Sequence, residues 1–262
     1  MKIHFIGTSH GITEKDRNTS SIAIVTEGKA YLFDAGAPIM KLLQEHDIPF
    51  SSLSDVFITH SHRDHYIGLV EFTGQVELFS QFSGVKVKIH APKNFPYNEM
   101  RRFLFGENDE ALTSSSSGGS RNASKDSDGQ RVTCEKYEAG EIFNDGTLKV
   151  TAIKTKHVED SHAFLIEAEG KKVLITGDMR HDLIDFPEIA YTEDLDVMIS
   201  EAAHFAYNNE AVINKFKDVK TKKLLITHIY YVMNPSENIE YAASKFKGFE
   251  TRAMNDGDIV EI

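Results

Sequence analysis

Three histidines and an aspartate lie within six consecutive residues, in the run His60-Ser61-His62-Arg63-Asp64-His65. The run follows residues 55–59, whose β-branched and aromatic side chains indicate a buried strand, and precedes the start of a helical pattern at residues 66–70. These residues are therefore predicted to lie in a strand-to-helix loop, where a rigid sheet holds side chains in place. Neutral imidazole and carboxylate are ligands for zinc, and also for manganese or iron. The run predicts a metal site, because so many solvated histidines after a buried strand have no packing rationale.

The spacing within this run divides the candidate ligands into two pairs. His60 and His62 are two residues apart, so they can face one ion from a turn. Asp64 and His65 are adjacent and diverge, so they point toward a second ion.

Further polar residues stand at the ends of predicted strands later in the chain. His157, Asp178 and His228 each follow a run with strand character, as His60 does. Each alone is equally compatible with a satisfied polar strand end, so these residues gain weight only in combination with the first run. His90 also ends a predicted strand, and we expect it to be solvated.

The order of predicted elements suggests the architecture. Helical patterns separate strand-rich halves, which favours an α/β (α+β) fold built as a four-layer αββα sandwich. Residues 107–130 are rich in Ser, Gly and Asp, and we predict a flexible insertion there within a single domain spanning residues 1–262. Predicted strands cover residues 2–6, 21–26, 30–34, 55–59, 85–90, 147–155, 163–167, 171–176, 196–200, 223–227 and 258–262, and predicted helices cover 38–46, 100–105, 209–216 and 236–246.

Composition limits the classes of partner. The formal net charge of −11 disfavours stable binding of nucleic acid or of an anionic membrane, but bound metal ions would still admit a small anionic substrate. Cys134 is the single cysteine of the chain, which excludes an intrachain disulfide and fits a reducing cytoplasm. The first residues are too polar for a signal peptide, and no apolar run is long enough to span a bilayer.

The pattern His60-x-His62-x-Asp64-His65 resembles the signature of the metallo-β-lactamase superfamily, and His157, Asp178 and His228 follow in that family's order. The resemblance implies that the motif lies between two β-sheets and holds two divalent ions, Zn²⁺ or alternatively Mn²⁺. It also implies that Asp34, in an Asp-x-Gly turn, orients a ligand loop by hydrogen bonding. The implied ligands are His60, His62 and His157 for one ion and Asp64, His65 and His228 for the other, with Asp178 bridging both.

Two ions about 4 Å apart are suited to phosphate ester hydrolysis, which also needs a proton donor for the leaving oxygen. Glu201 and His204 are one helical turn apart, so they can pair and keep the imidazole protonated. We predict that Asp64, Glu201 and His204 take part in catalysis. The Glu201-Ala202 step resembles the corresponding segment of ribonuclease Z and its phosphodiesterase relatives, but the Gly-His-Ser segment that carries the acid in ribonuclease Z is not evident.

Residues 5–18 and 33–38 resemble the phage anti-Pycsar cyclic-nucleotide phosphodiesterases and their bacterial relatives. This resemblance implies hydrolysis of 3′,5′-cyclic nucleotides to 5′-monophosphates by a homodimer, with a role in removing a defence signal. Alternatives are a ribonuclease Z-like tRNA endonuclease, a metal-dependent thioesterase or lactonase, and a metal-bound sensor without turnover. The acidic charge and the Ser- and Asp-rich insertion favour the small phosphodiester over tRNA.

Aromatic residues follow the strand predicted at residues 85–90. Phe95 and Tyr97 are expected in an exposed loop, where they are either a local apolar cover or a lid whose ring stacks on the nucleobase.

Overall fold

The computed structural model describes residues 1–106 and 130–262. Apart from Gln130, the insertion predicted at residues 107–130 lies outside the described residues. The division into a single domain stays a prediction.

The first sheet contains the strand that carries the histidine-rich run. Its spatial order within the described residues is β14-β1-β2-β3-β4-β5-β6, and the neighbours from β3 to β6 pair in parallel. Its strands are β1 (Lys2–Gly7), β2 (Ser21–Thr26), β3 (Lys29–Phe33), β4 (Leu53–Phe57), β5 (Val87–Pro92), β6 (Val132–Tyr137) and β14 (Ile259–Glu261).

The second sheet is assembled in the same way from the later part of the chain. Its order within the described residues is β13-β12-β11-β10-β9-β8-β7, and the neighbours from β10 to β13 are parallel. Its strands are β7 (Gly140–Asn144), β8 (Lys149–Lys154), β9 (His162–Ala168), β10 (Lys171–Ile175), β11 (Leu195–Ala202), β12 (Thr221–Ile229) and β13 (Glu250–Ala253).

Helices cover the outer face of each sheet. Leu43 of the first helix and Phe72 of the second pack on the first sheet, whereas Ile213 and Ile239 pack on the second. This arrangement confirms the four-layer αββα sandwich. The helices are α1 (Ile39–Glu45), α2 (Gly68–Leu78), α3 (Tyr97–Phe105), α4 (Ile189–Thr192), α5 (Glu210–Phe216) and α6 (Ser236–Lys245).

Aromatic side chains fill the space between the two sheets. Phe33 and Phe57 of the first sheet stack with ring centroids 5.0 Å apart, and Phe164 of the second sheet meets Phe57 edge-on at 6.3 Å. Burying each ring contributes about 1.5–3 kcal/mol, so this aromatic layer fixes the sheets face to face.

Strand direction brings the candidate ligands to one edge of the sandwich. The parallel strands β3 to β6 all end at the same edge of the first sheet. In the second sheet β8 is antiparallel to β9, which is antiparallel to β10, so β8 also ends beside β10, β11 and β12. Hydrogen bonds join the two sheets at this edge, from the His162 N–H to the Thr59 carbonyl (3.0 Å) and from the Ile229 N–H to the Thr8 carbonyl (2.8 Å).

Candidate metal centre

The histidine-rich run begins three residues beyond the end of β4, in a strand-to-helix loop as predicted, and Arg63–His65 form a single 3-10 turn before α2. The other predicted ligands lie in loops that follow strands of the second sheet or within a strand. His157 follows β8, Asp178 follows β10, and His228 is the second-to-last residue of β12. The structure therefore brings all seven predicted ligands together.

One cluster contains His60, His62, His157 and Asp178, whose ligand atoms all lie within 4.8 Å of one another. His62 Nδ1 lies 2.9 Å from His60 Nε2 and 3.2 Å from His157 Nε2. Asp178 Oδ2 lies 3.6 Å from His60 Nε2 and 3.7 Å from His157 Nε2. Tetrahedral donors at zinc–nitrogen distances of about 2.1 Å stand about 3.4 Å apart, so this cluster fits one zinc-sized ion.

A second cluster contains Asp64, His65 and His228. His65 Nε2 lies 3.4 Å from Asp64 Oδ2, and His228 Nε2 lies 3.9 Å from the same oxygen. Asp178 borders this cluster as well, with Oδ2 at 3.5 Å from His65 Nε2 and Oδ1 at 3.4 Å from His228 Nε2. A carboxylate that faces both clusters is placed to bridge two ions.

A buried nitrogen without a partner supports the fit to a metal. Within the described residues, His65 Nε2 is buried and has no hydrogen-bond partner, while its Nδ1 lies 2.7 Å from Asp34 Oδ2. An unpaired buried nitrogen is costly, and an ion between His65, Asp64 and Asp178 would remove that cost.

Charge and burial set the protonation states of the candidate ligands. Burial lowers the pKa of His60 well below its usual value, and the neighbouring His65 lowers it further. Burial would raise the pKa of Asp178, but His228, His65 and His60 hold it well below its usual range. A neutral imidazole and an ionised carboxylate are the ligand forms, so His60 and Asp178 are ready to bind an ion. Burial would lower the pKa of His65, but Asp178 and Asp34 raise it well above its usual value, so an ion that binds this ring displaces a proton.

Asp34 orients the ligand loop, as predicted. Its Oδ1 accepts hydrogen bonds from the Thr59 N–H (2.8 Å) and hydroxyl (3.0 Å), and its Oδ2 binds His65. Asp34 has a φ of 57°, a left-handed conformation that Asp tolerates better than most residues. The aspartate thereby fixes both the backbone before His60 and the ring of His65.

A β-bulge aims His228 at the centre. The register between β11 and β12 shifts after the Glu201–Thr227 pair, so that Ala202 pairs with Ile229 and His228 is the extra residue. Its φ of 51° is left-handed. Such bulges redirect one side chain, and here the redirected ring points toward Asp178.

Glu201 and His204 form the predicted pair beside the first cluster. His204 Nδ1 lies 2.9 Å from Glu201 Oε2, and its ring centroid is 4.4 Å from that of His157. Glu201 is buried and also accepts hydrogen bonds from the backbone N–H groups of Met179, Ala203 and His204. Burial would lower the pKa of His204, but Glu201 outweighs it and raises the pKa to about 9. The role of the pair in catalysis stays a prediction.

The expectation of an exposed loop is wrong for Phe95, which is 3% exposed; of the two alternatives for this residue, the local apolar cover describes it and the lid does not. Its ring meets Tyr66 edge-on at 5.0 Å, because α3 starts at Tyr97 and folds the preceding turn onto the core. Tyr97 is half-buried, and its hydroxyl donates to the Val132 carbonyl at 2.5 Å. The expectation for His90 is also wrong: it is buried, and its Nε2 lies 2.8 Å from Asp55 Oδ1.

Sequence reasoning missed Arg17, which anchors the loop after β1 near the centre. Its Nη1 donates to Thr8 Oγ1 and to the Met254 carbonyl, both at 2.6 Å. Its Nη2 donates to the Tyr231 hydroxyl at 2.8 Å and to Asn255 Oδ1 at 2.6 Å. Three of these acceptors are more than 200 residues away in sequence, so no local pattern separates Arg17 from the exposed Lys15.

The αββα layers and the paired clusters at one edge define the class of protein: the chain has the metallo-β-lactamase fold. The metallo-beta-lactamase fold protein YhfI from Bacillus subtilis shares this fold with a TM-score of 0.73 and 18% identity, over 99% of this chain and 98% of that chain. A family model described as "Anti-Pycsar protein Apyc1" matches residues 1–251, so the chain belongs to the anti-Pycsar Apyc1 family.

Curated relatives include ribonuclease Z proteins. Ribonuclease Z of Crocosphaera subtropica is 35% identical over 94 residues, which cover 35% of this chain and 30% of that protein. In that alignment the chain thus spans about three tenths of the relative's length. Ribonuclease Z of Limosilactobacillus reuteri is 25% identical over 310 aligned positions, covering 100% of this chain and 99% of that protein. No helix in the part of the chain that the structure describes is long and apolar enough to cross a membrane.

Proposed function

We propose that this protein is a dinuclear-metal phosphodiesterase that hydrolyses 3′,5′-cyclic nucleotides to 5′-monophosphates. The observation that carries the proposal is Asp178, whose carboxylate lies 3.4–3.7 Å from ring nitrogens of both clusters. One bridging carboxylate between two histidine clusters is the arrangement that holds two ions close together. We propose Zn²⁺ as the ion, with Mn²⁺ as the alternative, since nitrogen-rich sites with carboxylate suit both.

The chain supplies seven ligands, in the two sets already described. His60, His62 and His157 would hold one ion, Asp64, His65 and His228 the other, and Asp178 both. When bound, two such ions activate water and neutralise the charge that builds on a phosphodiester.

Glu201 and His204 supply the remaining proton. In this proposal His204 donates it to the leaving oxygen of the ribose, and Glu201 holds the ring in place through Nδ1. His204 is partly exposed, with 32% of its side chain accessible, so it can reach a substrate at the mouth of the site. A positioned acid of this kind contributes about 10²–10⁴-fold to the rate.

Family membership supports the substrate class and a biological role. The matched family is described as anti-Pycsar, and we propose that hydrolysis removes a cyclic-nucleotide signal of Pycsar-type antiphage defence. We also propose that the protein acts in the cytoplasm, where such signals are made, and that it works as a homodimer. Sedimentation of the metal-loaded protein measures the oligomeric state directly.

The test is product analysis with the metal-loaded protein. Purine and pyrimidine 3′,5′-cyclic mononucleotides, a tRNA precursor and an acyl thioester are incubated in parallel with added Zn²⁺ or Mn²⁺. We expect 5′-monophosphates from the cyclic nucleotides and little change in the other substrates. A thioester turned over in place of the cyclic nucleotides would overturn the proposal.

Asp178→Ala supplies the variant that separates this activity from a contaminant. We expect it to abolish turnover and to reduce metal content, because both ions lose a ligand. Asp182→Ala is the matched control, since Asp182 is an exposed carboxylate four residues away that pairs with Arg180 at 2.8 Å. Full activity in metal-free Asp178→Ala protein would exclude the dinuclear site.

A ribonuclease Z-like endonuclease is the second candidate, favoured by the full-length similarity to the Limosilactobacillus reuteri protein. The net charge of −11 argues against it, because gripping a tRNA requires basic surface. Cleavage of the tRNA precursor without cyclic-nucleotide turnover would make the endonuclease the first candidate and the cyclic-nucleotide phosphodiesterase the second.

A further inference from the structure

A cavity with both polar and apolar lining lies beside the metal-ligand loop. Its volume is about 290 Å³, at the lower end of the range for small-ligand pockets. Its lining includes Lys93, Asn94, Tyr137, Lys154, Asp160 and His162.

Sheet topology places the cavity on the same edge as the metal ligands. Lys93 and Asn94 directly follow β5, and Tyr137 ends β6. Both strands run parallel to β4, which carries the histidine-rich run. Neighbouring strands are about 4.8 Å apart, so the cavity begins roughly one to two strand spacings from the end of β4, measured along the edge of the sheet.

Three hydrogen bonds fix the cavity wall to the metal-ligand loop. The Tyr137 hydroxyl donates to the Ile58 carbonyl at 2.6 Å, and the His162 N–H donates to the Thr59 carbonyl at 3.0 Å. Asp160 Oδ2 accepts from the Ser61 hydroxyl at 2.8 Å, between the ligands His60 and His62. The cavity is therefore held at a constant position relative to the ligands.

His162 lines the cavity, and its ring has a free acceptor. The side chain is 5% exposed, and its Nδ1 lies 3.0 Å from the Asp160 carbonyl, which can only accept a hydrogen bond. Nδ1 must therefore carry the proton, and Nε2 of the neutral ring is left as an acceptor with no partner among the described residues. Burial lowers the pKa of His162, and the charge of Lys154 lowers it further, which favours that neutral ring.

The charges around the cavity select against a phosphate. Lys93 and Lys154 provide ammonium donors, but Glu138, Glu159 and Asp160 place carboxylates beside them. An anion gains little from such a balanced set, whereas a neutral heterocycle with both N–H and C=O or ring-nitrogen groups can use every member.

We propose that this cavity binds the nucleobase of the cyclic nucleotide while the phosphate lies at the metal centre; the inference rests on the proposed function. A base N–H donates to His162 Nε2, and an adjacent base acceptor receives a hydrogen bond from Lys154. The Asn94 amide can donate to a base acceptor or accept from a base donor. Since every nucleobase has a donor beside an acceptor, the site admits purines and pyrimidines with modest preference.

Three variants of the full, metal-loaded chain test the cavity without touching a metal ligand. Ala139→Trp fills the mouth from an exposed turn, Lys154→Ala removes a donor, and His162→Asn keeps an N–H near Nδ1 while removing the Nε2 acceptor. Matched controls are Ala139→Ser and Lys171→Ala, the latter in a separate cavity of about 280 Å³. Kinetics are measured with cyclic nucleotides and with bis(p-nitrophenyl) phosphate, which has no base.

We expect Lys154→Ala and His162→Asn each to raise KM for cyclic nucleotides by about threefold to tenfold, the value of one lost hydrogen bond, with little change in kcat. Ala139→Trp excludes the whole base, so we expect it to raise KM by about tenfold or more. The controls, and nitrophenyl ester hydrolysis by all variants, should stay at wild-type values. Unchanged KM for cyclic nucleotides in Ala139→Trp protein would refute the subsite, and so would equal losses on both substrates.

Binding measurements keep the two proposals distinguishable. Calorimetric titration compares a nucleoside 5′-monophosphate with ribose 5-phosphate, and we expect the base to strengthen binding in wild type but not in Ala139→Trp. If wild-type protein fails to turn over cyclic nucleotides yet shows this difference, the proposed function is wrong and the base subsite stands. If the base adds nothing in wild type, the subsite is wrong.

Discussion

At the scale of single residues, Asp34 shows how a residue outside the ligand set controls the centre. It holds Thr59 and His65 at once, from a left-handed backbone conformation that Asn also tolerates. We expect Asp34→Asn to weaken metal binding by about 10–100-fold, because His65 loses the acceptor that fixes its ring. Chelator competition measures the affinity.

The matched control for that substitution is Asp47→Asn. Asp47 is exposed and also has a positive φ of 54°. Asp47→Asn therefore makes the same substitution at a left-handed backbone position that lies away from the centre. Equal loss of metal from both variants would show that Asp34 acts only through the stability of its turn.

His204 allows a test by leaving group. A ribose oxygen needs a proton as it leaves, whereas nitrophenolate leaves readily without one. We expect His204→Gln to lower kcat for cyclic nucleotides by about a hundredfold or more, with a much smaller effect on bis(p-nitrophenyl) phosphate. Glu201→Gln should change the rates on the two substrates in the same direction as His204→Gln does. A similar loss on both substrates would argue that His204 positions ligands and does not donate the proton.

At the scale of elements, the sequence located the strands that form the centre but only one of the four edge strands of the described structure, β14. The strands β6, β7 and β13 were not predicted, and each lies at an edge of its sheet in the described structure. Edge strands keep polar side chains toward solvent, as in Val132–Tyr137, so their hydrophobic period is weak. The central strands are buried on both faces, which makes them recognisable as continuous apolar runs.

The ligands were predictable for the same reason, because each follows a recognisable strand. Phe95 could not be placed correctly, since its burial depends on where α3 packs and not on its neighbours in sequence. The network around Arg17 was equally inaccessible, because its acceptors converge only after the chain ends have folded together.

The loop after β1 offers a stability prediction. Arg17→Met leaves two buried acceptors, the Met254 carbonyl and Thr8 Oγ1, without the donor that Arg17 supplies. We expect a loss of about 2–4 kcal/mol in the free energy of unfolding, since buried acceptors without partners are costly. Urea denaturation measures the difference, and Lys15→Met, an exposed change in the same loop, should stay within about 0.5 kcal/mol of wild type. An unchanged midpoint for Arg17→Met would mean that the loop is held by other contacts.

At the scale of the whole molecule, buried histidines outside the centre make stability depend on pH. Burial lowers the pKa of His4 to about 4, helped by His46, whose Nδ1 lies 3.3 Å from that of His4. Because the folded pKa is below the usual 6.5, the unfolded chain takes up the proton first as pH falls. This contribution is complete above about pH 6.5 and is lost as pH falls toward about pH 4.

We therefore expect His4→Gln to reduce the loss of stability between neutral pH and about pH 5. The denaturant midpoint is measured for variant and wild type at each pH, and the change with pH in one protein is subtracted from that in the other. The contribution of the histidines at the metal centre is the same in both proteins and cancels in this double difference. His181→Gln, an exposed histidine, should leave that difference at zero. A loss identical to wild type in His4→Gln would assign the acid sensitivity to other groups.

The distribution of ligands between the sheets has a mechanical consequence. The first sheet contributes the histidine-rich run, and the second contributes His157, Asp178 and His228. Bound ions would therefore act as a cross-link between the two halves of the sandwich, closing a loop that spans most of the chain. At a free metal concentration a hundred times Kd the gain is about 2.7 kcal/mol. Chelation should accordingly speed amide hydrogen exchange at the ends of β4 and β12 together, because removing the ions lets the two sheets separate locally at that edge.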